Sequence, residues 1–448
     1  MNFFPDYANM HGWEIYSADL GVEFRQSMEE GKNIGHLKAL FDAVAALPRT
    51  QERERLADVL FDMVCGAPQR QDYSWNEPSD LADIRALRDG YTFEMRTPDN
   101  IADRIRGAWY GRIAGCLLGK TVEGIRTPEL HDVLRTSGNF PMTRYIRRTD
   151  ITDALAERCT YPLRNRCFAD CVDAMPADDD TNYMVLYQLI VDRYGRDFTP
   201  LDVSRAWMDL QPKNAYCTAE RVAFRNFVAG LVPPASAMFK NPYREWIGAQ
   251  IRGDYFGYIN PGDPETAAGM AWRDASISHT KNGIYGEMFA SAMIACAAAA
   301  DDLETVIRGG MAQIPTTSRL YAALEKILSD WRSGVSEDNC FADIARRWNE
   351  FDGHDWCHTI SNAEIVAASL LYGAGDYGRS ICRAVQTGFD TDCNGATVGS
   401  VLGMRGGMRA IPEQWLEPLH GLLDTAIFGV GRIRIDDAAA KTLEHLSK

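Results

Sequence analysis

Residues 104–120 read RIRGAWYGRIAGCLLGK, and residues 393–407 read CNGATVGSVLGMRGG. In the first stretch Gly107, Gly111, Gly115 and Gly119 recur every fourth residue; in the second, Gly395, Gly399 and Gly403 do the same. A spacing of four keeps residues on one face of an α-helix. Each interior glycine costs about 1 kcal/mol relative to alanine. Two such stripes therefore need a compensating gain, and close approach of one helix backbone to another is the usual one. In a lipid-facing helix the same spacing would signal membrane pairing, but Arg104, Arg106 and Arg112 interrupt the first stretch. Both glycine helices are expected deep in a soluble core, near each other.

Outward from these helices, the chain from about residue 97 is a succession of helical patterns joined by short polar loops. The candidates are 101–119, 181–194, 218–231, 285–300, 302–311, 317–333, 340–350, 361–373, 377–387 and 394–408. Alternating strand patterns are scarce, there is no βαβ rhythm, and no 20–50-residue repeat is visible. The expected fold class is all-α, a compact multi-helix body with a few short strands at most. Residues 1–95 differ in character. HLKALFDAVAAL (36–47) and ERERLADVLFDMVC (52–65) have helical spacing, and the turn-rich APQRQDYSWNEPSD follows. This segment is expected to be a small helical accessory element, structural or oligomeric in role, ahead of a main domain over residues 96–448.

The composition bounds the function. The chain has 448 residues, 46% hydrophobic and 24% charged, which is ordinary globular material. Its formal charge of −15 argues against nucleic acid as a partner, which calls for a basic footprint. The 11 cysteines are odd in number and lack disulfide-like spacing, as expected for reduced thiols in the cytoplasm. The opening MNFFPDYANM has neither a basic nor an apolar leader region, so no signal peptide is expected. The longest apolar-rich run, 288–300, is too short to span a bilayer, and no membrane partner is expected.

The chemistry-bearing residues fall in two acidic clusters. Asp178-Asp179-Asp180-Thr181 immediately precedes the helical pattern NYMVLYQLIVDRYG, and Asp390-Thr391-Asp392 immediately precedes the second glycine helix. A carboxylate at a helix N-terminus is favoured by free backbone N–H groups and the helix dipole, so capping explains one aspartate at each place. It does not explain three in a row, or a DxD. Packed carboxylates repel one another unless a cation neutralises them, and burial without a partner is expensive. Carboxylate and hydroxyl oxygens suit Mg²⁺, Mn²⁺ or Ca²⁺ rather than Zn²⁺.

The ordered set RIRGAWYGRIAGCLLGKTVEG, ADDDT, SISHTKNGIYGEMFASAMIACA and GFDTDCNGATVGSVLG resembles the ADP-ribosylglycohydrolase family over residues 100–430. The family's hallmarks are a Gly-rich helix ending in a glutamate, a DDT motif and a C-terminal DTD motif. The resemblance implies a compact all-helical domain with two Mg²⁺ ions in a central cleft, Mn²⁺ being an alternative. The implied ligands are Asp179, Asp180, Asp390 and Asp392, with Asp178 beside them. Glu123 matches the family's glutamate and is implied to act in catalysis with Asp179 and Asp392. His279 matches a histidine next to the ligand. Gly248, Gln250 and Gly253 fall where the family's loop approaches phosphates and distal ribose, and Tyr255 follows in a turn-rich loop where it would stack on adenine or simply anchor the loop.

Three positions depart from the family pattern. Asp178 stands where Thr is usual, Cys393 where Thr or Ser follows DTD, and Gly388-Phe389 where Gly-Gly precedes it. A thiol is a poor Mg²⁺ ligand, so one coordination position is expected to fall to water or to Thr391. The implied activity is metal-dependent hydrolysis of the C1″ glycosidic bond of ADP-ribose conjugates, on protein side chains or small molecules. The competing readings are hydrolysis of another ribosyl compound, such as a nucleoside, and a non-catalytic ADP-ribose-binding or immunity module. His354, Cys357 and His358 in GHDWCHT look like zinc ligands but lack a second half at suitable spacing.

Overall fold

The structure is a computed structural model and describes residues 5–96 and 98–446. The first residues of the leader reading and the last two of the main domain lie outside these. Helices are nearly the whole of the regular structure in the described chain; its one sheet pairs Leu422–Asp424 antiparallel with Arg432–Arg434. The ten helices expected from residue 97 onward all form, most of them shifted by two or three residues at an end. Five further helices of ten or more residues that the spacing did not single out are Leu20–Glu29, Thr127–Thr136, Pro200–Leu210, Pro264–Ala275 and Ile435–Glu444. Three of these carried a legible start signal, the first being Pro128 in the first turn of Thr127–Thr136. Pro200 and Pro264 sit in the first turn, and Thr199 and Asp202 form a reciprocal capping box.

The glycine helices, Ile101–Lys120 and Thr391–Gly406, lie antiparallel with their backbones in contact. A Cβ on Gly111 would fall 2.2 Å from the Gly399 carbonyl oxygen, one on Gly115 2.0 Å from that of Gly395, and one on Gly119 2.2 Å from that of Thr391. The relation is mutual: a Cβ on Gly399 would meet the Gly111 oxygen at 2.1 Å. No residue with a side chain fits these positions. The pairing of 111 with 399 and 119 with 391 fixes the register, and it sets the C-terminus of the first helix against the N-terminus of the second. The expectation of two deep, adjacent helices therefore holds.

Around this pair stand helices buried on nearly all sides. Every residue of Asn282–Ala297 is buried, as is nearly all of Thr359–Gly373. Ile435–Glu444 closes one flank, where Trp109 Nε1 donates to Thr442 Oγ1 at 2.9 Å. The N-terminal residues have a small core of their own, built from Tyr16, Leu20, Ile34, Leu37, Phe41, Ala57, Leu60 and Val64. Ile84, still within the first 95 residues, lies in the main core. Among the described residues no helix is long and apolar enough to cross a membrane.

Candidate active site

Asp178 caps the helix Asp179–Tyr194, its Oδ1 accepting from the Asp180 N–H at 2.9 Å. Its other oxygen takes Lys120 Nζ at 2.5 Å, from the last turn of the first glycine helix. Both oxygens are partnered, so Asp178 caps this helix and anchors it to the first glycine helix. Lys120 holds its carboxyl below the ordinary value although burial pushes the other way.

Asp180 is fully buried, and Arg112 grips it twice, Nε on its carbonyl oxygen at 2.9 Å and Nη2 on Oδ1 at 2.7 Å. Arg112 Nη1 also holds Asp254 at 2.6 Å. The remaining oxygen of Asp180, Oδ2, is buried with no hydrogen-bond partner. Asp392, in the first turn of the second glycine helix and 2% exposed, likewise has an unpartnered buried oxygen, Oδ1. Ligand atoms of Asp180, Asp392 and Cys393 lie within 4.8 Å of one another. Two helix N-termini distant in sequence thus deliver bare carboxylate oxygens to one point.

Asp179, Asp390 and Glu123 complete the cluster. Burial, then the charges of Asp178, Asp180 and Glu123, push Asp179 well above the ordinary carboxylate range. Asp392 is pushed up by burial and by Glu123, Asp390, Asp178 and Asp180. Glu123, partly exposed, is raised to about 7 by burial and by Asp178 and Asp390. Asn362 braces the second cluster, its Oδ1 accepting from the Asp390 N–H at 3.3 Å and from Asn394 Nδ2 at 2.7 Å. Thr391, expected as a substitute ligand, donates its hydroxyl to the Gly119 carbonyl at 2.9 Å and so faces the first glycine helix.

The structure brings Glu123, Asp178, Asp179, Asp180, Asp390 and Asp392 together. It places the loop expected to approach phosphates in the core. A Cβ on Gly248 would fall 1.9 Å from Glu220 Oε1, and one on Gly253 2.7 Å from the Glu287 carbonyl. These glycines make room for the protein's own groups around Arg252. This fully buried guanidinium meets Asp274 at 2.6 Å, Glu220 at 3.0 Å and Ser278 at 3.0 Å. Gln250 is buried, its Oε1 without a partner. Tyr255 lies in the helix Asp254–Tyr258 and is fully buried with its hydroxyl 2.5 Å from His445 Nδ1, so anchoring, not adenine stacking, is what it does here. His279 bonds Ser278 Oγ through Nδ1 at 2.8 Å and lines a cavity of about 360 Å³ with Trp272, Met238 and Thr280. Burial and Arg252 push it well below the ordinary histidine value.

Sequence reasoning took Arg112 only as an argument against a membrane, and passed over Lys120, Asn362 and Arg252. A signal for Arg112 was present. A charged residue within a glycine stripe, on a helix with no polar face, demands a buried acid.

The ADP-ribosylglycohydrolase family model matches residues 97–447. The chain belongs to the ADP-ribosylglycohydrolase family. Membership supports a hydrolase acting on glycosidic bonds, and the match begins where the N-terminal segment ends. A solved structure titled "ADP-ribosylglycohydrolase-related protein complex" is 16% identical, over 78% of this chain and 98% of that chain, with a TM-score of 0.47. No curated protein matches the chain by sequence.

Proposed function

We propose that this family member is a metal-dependent glycohydrolase that cleaves the C1″ bond of ADP-ribose conjugates. The observation that carries the reading is the meeting of Asp180 and Asp392 in one ligand-sized group, each residue having a buried, unpartnered carboxylate oxygen. Such oxygens are costly unless a cation meets them, and a set dominated by carboxylates fits a hard divalent ion such as Mg²⁺ or Mn²⁺. Asp179, Asp180, Asp390 and Asp392 would hold it. Asp178 stands outside the set because Lys120 and the helix N-terminus occupy it. When bound, divalent ions would supply positive charge to orient ribose hydroxyls and stabilise charge developing at the leaving bond.

The chain's own residues do the rest. Arg112 and Lys120 fix the first acidic segment, and Asn362 the second. Glu123 stands beside the acidic cluster, partly exposed. It is the group suited to pass a proton to the leaving atom or take one from the attacking water in an oxocarbenium-like reaction. Asp180 and Asp392 are themselves buried, while Glu123 beside them is partly exposed.

Calorimetry tests the reading, with ADP-ribose titrated in Mg²⁺ and then in EDTA. Binding only with the ion supports it, and turnover of arginine-, serine- and nucleotide-linked conjugates would then identify the linkage. A folded sample that binds ADP-ribose in neither condition sinks the ADP-ribose assignment and turns the search to other ribosyl compounds.

A further inference from the structure

Two thiols lie against the acidic cluster, and the structure treats them differently. Cys116, on the first glycine helix, groups with Asp178 and Asp180. That group is closed, because Asp178 has Lys120 on one oxygen and a backbone N–H on the other. Cys393 groups with Asp180 and Asp392, whose ligand atoms and its own Sγ lie within 4.8 Å of one another. That group is open, since Asp180 Oδ2 and Asp392 Oδ1 have no partner and both residues are buried. Thr391, between Asp390 and Asp392, is turned to the Gly119 carbonyl.

We infer that Cys393 is itself a ligand, so that the position between Asp180 and Asp392 is a mixed oxygen–sulfur site taking a borderline or soft divalent cation. The inference rests on the metal reading proposed above and deepens it. Sulfur contributes little to a bond with Mg²⁺ and much to one with Zn²⁺, Co²⁺ or Cd²⁺. Asp179 and Asp390 add carboxylate oxygens to the same centre, and those suit a hard ion. Cys393 therefore shifts the selectivity of this centre towards a soft ion.

Cobalt reports this directly. Metal-free full-length protein is titrated with Co²⁺ while near-ultraviolet absorption is followed, with Mg²⁺ and Cd²⁺ binding measured by calorimetry. A sulfur-to-cobalt charge-transfer band is expected at one equivalent; Cys393→Thr abolishes it, and Cys116→Ser keeps it. The preference for Cd²⁺ over Mg²⁺ should fall at least about tenfold in Cys393→Thr. Should that variant not fold, the smaller C393S serves the same comparison. Ion binding without the band, or a band that survives loss of Cys393, overturns the sulfur ligand and leaves the oxygen site standing. Failure of Mg²⁺, Mn²⁺ and Co²⁺ alike to bind the folded protein overturns both this inference and the metal reading beneath it.

Discussion

Asp178 and Asp180 stand two residues apart, and their surroundings give them opposite tasks. The first is satisfied by a lysine and an N–H group; the second is held by Arg112 through one oxygen and left bare at the other. Replacing Asp180 or Asp392 with Asn should therefore weaken divalent-ion binding and lower glycohydrolase turnover by at least about a hundredfold. Calorimetry and a release assay read the two effects, and unchanged ion affinity would remove these residues from the centre. Arg112→Ala acts differently, stranding the Asp180 and Asp254 carboxylates in the core. It should cost about 3–5 kcal/mol in a denaturant melt. The histidines of GHDWCHT show the same dependence on surroundings. Glu29 supplies the third ligand that the sequence motif lacked. Yet His354 Nδ1 accepts from Trp246 Nε1 and His358 Nδ1 from the Ile360 N–H. Each neutral ring then carries its hydrogen on Nε2, the atom that faces Glu29, and a donor cannot ligate zinc.

At the scale of the element, the glycine helices behave as one unit. Their contact is backbone on backbone, so a single methyl group at the seam forces the helices apart, and with them the two ends that carry Lys120 and Asp392. Gly111→Ala, whose Cβ would meet the Gly399 oxygen at 2.2 Å, should destabilise the protein by about 3 kcal/mol. Gly21→Ala is the matched control. It lies in the helix Leu20–Glu29 with nothing within 4 Å of the added carbon, and it should leave stability unchanged or raise it by up to about 1 kcal/mol. Thermal melts of the two variants decide the matter; equal melting temperatures would mean that the seam yields. The stripes were legible because a period of four on a helix has few other uses. Their register was not, since any pair of complementary glycines satisfies the spacing.

Across the whole molecule, the N-terminal segment docks on the family domain through a buried polar junction. Arg244 bonds Glu23 at 3.0 Å and Glu30 at 2.8 Å, Arg25 reaches Asp352 at 2.7 Å and Asp355, and Glu29 accepts from His354 at 3.0 Å. Burial opposes ionisation of Glu29, but the hydrogen bond from His354 and the Arg25 guanidinium outweigh it and hold Glu29 at about 2. Burial pushes His358 down to about 3. The signs agree. Stability from Glu29 is complete above the ordinary carboxylate range and lost as pH falls toward 2. For His358 the unfolded chain takes up its proton first, so stability declines from the ordinary histidine value downward. Acid should loosen this junction, and limited proteolysis should cut between residues 66 and 80 faster at about pH 4 than at neutrality. Equal cleavage at both would show that other contacts hold the segment.

The sequence by itself determined the all-helical class, the two glycine stripes and the paired acidic helix starts, because each is a local pattern of spacing or charge. It also carried the ordered motifs that place the chain in its family. Only the tertiary structure decided which aspartate oxygens stay bare, that Asp178 is tied to Lys120, that Gly248 and Gly253 serve the Arg252 network, and that Glu29 completes a cluster with His354 and His358. These outcomes depend on which partners arrive from distant segments. An aspartate as a ligand and an aspartate as a cap look the same in sequence, since what separates them is the donor that folding sets beside each oxygen.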